Sequence, residues 1–130
     1  TSFRFESIEI LSPFLKRGGL IKGTVKLTNI GKLAGEEVIQ IYVAKDELRF
    51  NDPLCSLRFF KRVTLSAGES EVIEFELPDS AFETVNAAGQ SVLIEGVYTV
   101  IAANAAPLPI SVEKGATPPV AVKIKIISSE

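Results

Sequence analysis

The chain reads as an all-β protein, an antiparallel immunoglobulin-like β-sandwich of about seven strands. Three observations predict this. Apolar residues alternate with polar ones at period two in short runs. Turn-forming residues fall between the runs, at Gly18-Gly19, Asn29 to Gly35, Ala67-Gly68, Pro78-Asp79, Gly89, Gly96, Gly115 and Pro118-Pro119. No segment has the periodicity of a helix of ten residues or more, and no internal repeat is present.

Taken in chain order, the first strand is Phe3 to Ile10. Phe3 and Phe5 share one parity and Ile8 and Ile10 the other, which predicts a bulge near Glu6–Ser7. From Ile21 to Asn29, Ile21, Gly23, Val25 and Leu27 alternate with Lys22, Thr24, Lys26 and Thr28, the pattern of a half-buried strand. The stretch "NIGKLAGEEVIQIYV" follows. Its glycines, Gly31 and Gly35, are expected to shape a turn through positive φ. The next strand then faces Ile39, Ile41 and Val43 inward and Val38, Gln40 and Tyr42 outward. Phe59 to Leu65 is a further strand. Its adjacent phenylalanines must face opposite ways, so one of Phe59 and Phe60 points away from the core. In Glu71 to Leu77, Ile73, Phe75 and Leu77 face in and Glu74 and Glu76 face out. Ser80 to Ala88 is the one candidate for a helical turn. Val97 to Ala103 begins with Tyr98, either a plain core aromatic or a tyrosine corner whose hydroxyl bonds to backbone. Val120, Val122, Ile124 and Ile126 define the last strand.

Size and composition bound the function. At 130 residues the chain has one domain's length and is expected to form a single domain over 1–130. Apolar residues make up 46% and charged residues 23%, enough to build one core without metals or disulfides. The net charge is −2 with no block of one sign, which points to neither nucleic acid nor an anionic membrane as a partner. The uncharged run Val97 to Val112 contains Asn104, Pro107 and Pro109 and makes a poor membrane span. Cys55 is the one cysteine, so no internal disulfide can form and the compartment is left open. No histidine is present, which removes the commonest general base and the commonest metal ligand. The absence of methionine predicts a fragment or processed product of a longer protein.

Candidate chemistry is sparse. Glu74 and Glu76 lie two residues apart on one strand face, roughly 6.8 Å, near the spacing of glycosidase carboxylates. A clean alternation puts them toward solvent or a partner, and an exposed sheet carboxylate has nothing to raise its pKa for acid work. The segment "KDELRFNDPLCSLR", residues 45–58, is long for a hairpin loop and gathers Asp46, Glu47, Asn51 and Asp52. The spacing fits no calcium loop, and Lys45, Arg49 and Arg58 can neutralise the acids. No metal or other cofactor is therefore expected. Phe50, Asn51 and Asp52 in this loop are the candidates for a contact outside the domain, a carbohydrate among them. Gly31-x-x-x-Gly35 is followed by a strand and not by a helix, so it does not form a phosphate loop.

Three stretches carry a family resemblance: "GTVKLTNIGKLAGEEVIQIYVAKD", "LRFFKRVTLSAGESEVIEFELPDSAF" and "EGVYTVIAAN". Within them Asn29, Gly31, Gly35, Glu37, Val38, Gln40 and Tyr42 match one motif. Leu57, Phe60, Val63, Leu65, Gly68, Glu69 and Ser70 match a second, and Gly96, Tyr98 and Val100 a third. Together they resemble the fibronectin type III-like domain at the C-terminal end of family 3 glycoside hydrolases, the β-glucosidases and β-xylosidases. Phe59 stands where that family usually has glycine, and "GQSVLIEG" lacks the aromatic residue that commonly precedes the late strand. The resemblance implies a multidomain retaining enzyme whose aspartate nucleophile and glutamate acid/base lie in other domains, with no catalytic residue in this one. It implies a packing role against the catalytic domains of the parent chain, with a periplasmic or secreted parent favoured over a cytoplasmic one. Val38, Gln40, Tyr42 and Phe60 are then the candidate docking residues, as part of an apolar patch on one sheet face. The alternative is a stand-alone carbohydrate- or protein-binding module.

Overall fold

The computed structural model describes residues 3–46, 56–104 and 118–127. They form ten strands: β1 (Phe3–Ile10), β2 (Phe14–Leu15), β3 (Leu20–Asn29), β4 (Gly35–Lys45), β5 (Ser56–Leu65), β6 (Ser70–Pro78), β7 (Thr84–Val85), β8 (Ser91–Val92), β9 (Gly96–Ala103) and β10 (Val120–Ile126). Seven are long and correspond to the seven predicted runs. The other three have two residues each.

Two sheets make the sandwich. One has the order β1-β3-β6 and the other β2-β10-β9-β4-β5. All long strands pair antiparallel; β2 runs parallel to β10 and inserts Leu15 into the core. The inner faces meet through Phe3, Phe5, Ile21, Val25, Leu27, Ile73, Phe75 and Leu77 on one side and Ile39, Ile41, Val43, Val63, Leu65, Tyr98, Val100 and Ile124 on the other. Each belongs to an alternating set, because successive strand side chains project to opposite faces.

The first strand contains the bulge that its parity change predicts: the register with β3 shifts between Phe5 and Ser7. One extra residue lets Phe3, Phe5, Ile8 and Ile10 all face inward. At β3, Gly23 sits where a Cβ would lie 2.5 Å from Phe75 Cζ, 2.8 Å from the Glu9 carbonyl oxygen and 2.8 Å from Ile10 Cδ1. The position is a close approach of backbone to an aromatic ring, and only glycine fits it.

Two local expectations are corrected. The positive-φ glycines among the described residues are Gly18, Gly68, Gly89 and Gly96; Gly31 and Gly35 are not among them. The turn from β3 to β4 is closed instead by Asn29, whose side chain is fully buried. Its Oδ1 accepts from the Gly31 N–H at 2.9 Å, and its Nδ2 donates to the carbonyls of Leu33 (2.9 Å) and Leu65 (3.1 Å). An asparagine side chain bonding backbone two residues on turns the chain without left-handed geometry. The second correction concerns Ser80 to Ala88. A 3-10 turn covers only Asp79–Phe82. Beyond it, Asn86 Oδ1 accepts from Ala88 and Gln90 N–H groups, and Gly89 adopts φ +80°, so the chain reverses into the β7–β8 hairpin.

Tyr98 is buried at the start of β9, and its hydroxyl donates to the Ile94 carbonyl at 2.7 Å. Phe82 meets its ring edge-to-face, with centroids 5.6 Å apart and planes at 89°. Of the two readings of this residue, the tyrosine corner is the one the geometry supports.

Candidate docking surface

The outer faces of the two sheets differ in chemistry. On β1-β3-β6 the outward rows are mostly charged or hydroxyl-bearing and several of these groups pair, with Leu20 and Val72 the large apolar residues exposed among them. Lys22 Nζ stands 3.9 Å from Glu76 Oε2 across the β3–β6 pair, Arg4 bonds Glu6 at 2.8 Å, and Thr28 and Ser70 share a hydroxyl hydrogen bond of 2.7 Å. Glu74 and Glu76 lie on this face, both exposed. The Arg4 guanidinium, by its hydrogen bond first and its charge second, holds the Glu6 carboxyl below the ordinary carboxylate range.

The outer face of the five-stranded sheet carries an apolar row instead. Residues directly opposite on paired strands share a face. Ala121 on β10 pairs with Ile101 on β9, Ile101 with Tyr42 on β4, and Tyr42 with Leu57 on β5. The next row places Ala103, Gln40 and Phe60 side by side. Phe60 is 69% exposed and Leu57 44%.

The sequence-derived candidates fall on this face as follows. Val38 and Gln40 are half-buried. Tyr42 is buried although it belongs to the outward row. Its hydroxyl donates to Gln40 Oε1 at 2.8 Å. Phe60 projects farthest, while its neighbour Phe59 turns inward to within 6.3 Å of the Phe75 ring centroid. Phe50, Asn51 and Asp52 lie outside the described residues.

Leu57 and Ile101 belong to the row but were not singled out from the sequence. For Leu57 the cause is a second bulge. Phe59 pairs with Ile41 and Leu57 with Tyr42, leaving Arg58 as the extra residue, so parity counted from Phe59 assigns Leu57 to the wrong face. Ile101 sits in the plain alternation of Val97, Thr99, Ile101 and Ala103, and that signal was available.

The end of β4 carries a polar knot. Lys123 Nζ contacts Asp46 Oδ2 at 2.6 Å and Thr99 Oγ1 at 2.7 Å, and Thr99 Oγ1 bonds Asp46 Oδ1 at 2.8 Å. The Lys123 ammonium hydrogen bond, followed by that from Thr99, holds the Asp46 carboxyl below its ordinary value against a partial desolvation. Asp46 is therefore a structural tie across β4, β9 and β10. Among the described residues, no group of three or more metal-ligating side chains converges.

The profile of the fibronectin type III-like domain matches residues 37–106, more than half of the chain. The chain belongs to the fibronectin type III-like domain family. This domain is similar to part of a β-xylosidase of Formosa agariphila, 30% identical over 77% of the chain but only 14% of that enzyme's length. It is similar in the same way to the thermostable β-glucosidase B of Acetivibrio thermocellus, 31% identical over 66% of the chain and 11% of the enzyme. Among solved structures, a β-glucosidase from Erythrobacter marinus superposes with a TM-score of 0.81 at 22% identity, covering 98% of this chain and 16% of the other. The β-glucosidase of Kluyveromyces marxianus, solved with glucose, superposes with a TM-score of 0.75 at 23% identity over 98% of this chain and 14% of the other. The fibronectin type III-like domain thus spans about one-seventh or less of the curated relatives named here.

Proposed function

We propose that the chain is a non-catalytic accessory domain of a family 3 glycoside hydrolase, which packs against and stabilises domains that hydrolyse β-glucosides or β-xylosides. The observation that carries this reading is the length relation: named β-glucosidases and a β-xylosidase contain a segment like most of this chain as a small part of themselves. The outer face of the five-stranded sheet supports it. An apolar row that includes the exposed Leu57, with Phe60 exposed in the next row, suits burial against another domain. The partners on this reading are the catalytic domains of the same parent chain, and the chemistry, retention through a glycosyl-enzyme intermediate, belongs to them.

The test compares the 130-residue chain, the parent and the parent lacking these residues. The chain alone should leave aryl β-glucosides and β-xylosides unhydrolysed, and the parent should hydrolyse one of them. Removal of the domain should lower the parent's thermal midpoint. Turnover by the isolated chain that is lost on Glu74→Gln or Glu76→Gln substitution would overturn the assignment. Sub-millimolar glycan binding by the isolated chain would instead favour a binding module.

A further inference from the structure

The two sheets end on the same side of the sandwich. β5 is the last strand of one and β6 the last strand of the other. The chain passes between them through the 66–69 turn, and the Phe59 and Phe75 rings meet 6.3 Å apart, so the two strands run side by side in opposite directions. Among the described residues no backbone group pairs with the outer edge of either strand. Each edge therefore presents a row of N–H and C=O groups open to a further strand.

The side chains on the two edges carry opposite charge. β5 contains Arg58, Lys61 and Arg62 and no carboxylate, whereas β6 contains Glu71, Glu74 and Glu76 and no cation; all six are exposed. Arg62 is answered by Glu36 at 3.2 Å and Glu76 by Lys22 at 3.9 Å. Arg58, Lys61, Glu71 and Glu74 form no ion pair with a described residue. Each edge also exposes a large apolar side chain on its outward row, Phe60 at 69% and Val72 at 58%.

We propose that a second copy of this chain pairs with both edges at once, β5 of each copy adding to β6 of the other. A twofold axis parallel to the strands exchanges the two sheets and preserves strand direction. Both contacts are then antiparallel and identical, as a closed dimer requires. An axis normal to the sheets would instead set β5 on β5 and β6 on β6, with like charges opposed. In the antiparallel register that places Phe60 opposite Val72 of the second copy, Lys61 falls opposite Glu71 of the second copy. One register thus supplies an apolar pair and an ion pair, each occurring twice. Parity agrees, because Phe60 and Val72 stand in outward rows, while Lys61 and Glu71 share the parity of the inward sets through their partners Ile39 and Leu27. The contact is edge to edge, leaves the outer face of the five-stranded sheet open, and does not rest on the accessory-domain reading.

The experiment is sedimentation velocity of the 130-residue chain at roughly 100 μM in low salt, where a species of twice the chain mass is expected. Lys61→Glu and Glu71→Lys should each weaken the dimer by about tenfold or more, since every dimer contains the opposed pair twice. An equimolar mixture of these two variants should dimerise again, because both contacts then set a glutamate against a lysine. The double variant Lys61→Glu/Glu71→Lys should dimerise by itself for the same reason. Misfolded chains would not restore one another, so recovery in the mixture separates charge complementarity from loss of fold. A monomeric wild type or a mixture that stays monomeric would overturn the inference. So would a dimer that survives both reversals and is lost on Leu57→Asp, which would place the contact on the outer sheet face. Each of these results leaves the accessory-domain reading to its own test in the parent.

Discussion

Replacing Asn29 with alanine removes a buried amide and leaves the Leu33 and Leu65 carbonyls and the Gly31 N–H without their partner. Each such group left unsatisfied costs about 1–3 kcal/mol, so a loss of about 3 kcal/mol is expected for Asn29→Ala. It would appear as a lower urea midpoint with an unchanged slope. Asp46 gives a pH-dependent counterpart. Its folded-state pKa is depressed by Lys123 and Thr99, so its contribution is present above the unfolded value of about 3.9 and is lost as pH falls through the lower folded value. The pair is largely solvent-exposed, so the stability difference between wild type and Asp46→Asn should be only about 0.5 kcal/mol near neutrality. That difference should shrink in acid and in high salt, as read by thermal melts at several pH values. Of these two residues, Asn29 was visible in the sequence as a family position, but its burial was not. A polar residue at a strand end is ordinarily solvated, and only the approach of the 65–69 turn encloses it.

At the scale of the strand, Gly23 marks where two elements meet too closely for any side chain. Gly23→Ala would drive a methyl group against the Phe75 ring and the β1 backbone. Overpacking of this kind costs about 1–3 kcal/mol. Gly23→Ala with Phe75→Leu should recover part of the loss if the ring is the obstacle, a coupling that a double-mutant cycle by urea denaturation measures. The strands themselves were legible, because period-two alternation is a local signal and every long strand has one inward set. The β1 bulge was legible too, since inward residues on both sides of it change parity. The β5 bulge was not. Arg58 lies between Leu57 and Phe59, both apolar, so the row of residues shows no break in alternation. The hairpin Thr84–Val85/Ser91–Val92 escaped notice because its two-residue strands are too short to show a period.

Across the whole molecule, the two outer faces have distinct characters that bear on docking. One carries mostly charges and hydroxyls with Leu20 and Val72 exposed among them, and the other carries an apolar row. The melting experiment on the parent chain probes this scale, since no variant of the 130-residue chain alone reports on a partner domain. By itself the sequence determined the fold class, the seven long strands, the inward residue sets and the family, because alternation and motif spacing are properties of neighbours along the chain. Tertiary structure alone decided which outward residues line up into the Ala121–Ile101–Tyr42–Leu57 row, that Tyr42 is buried while Phe60 is exposed, and that Asn29 closes its turn. Those outcomes depend on the register between strands distant in sequence, and a single unpaired residue at Arg58 is enough to change them.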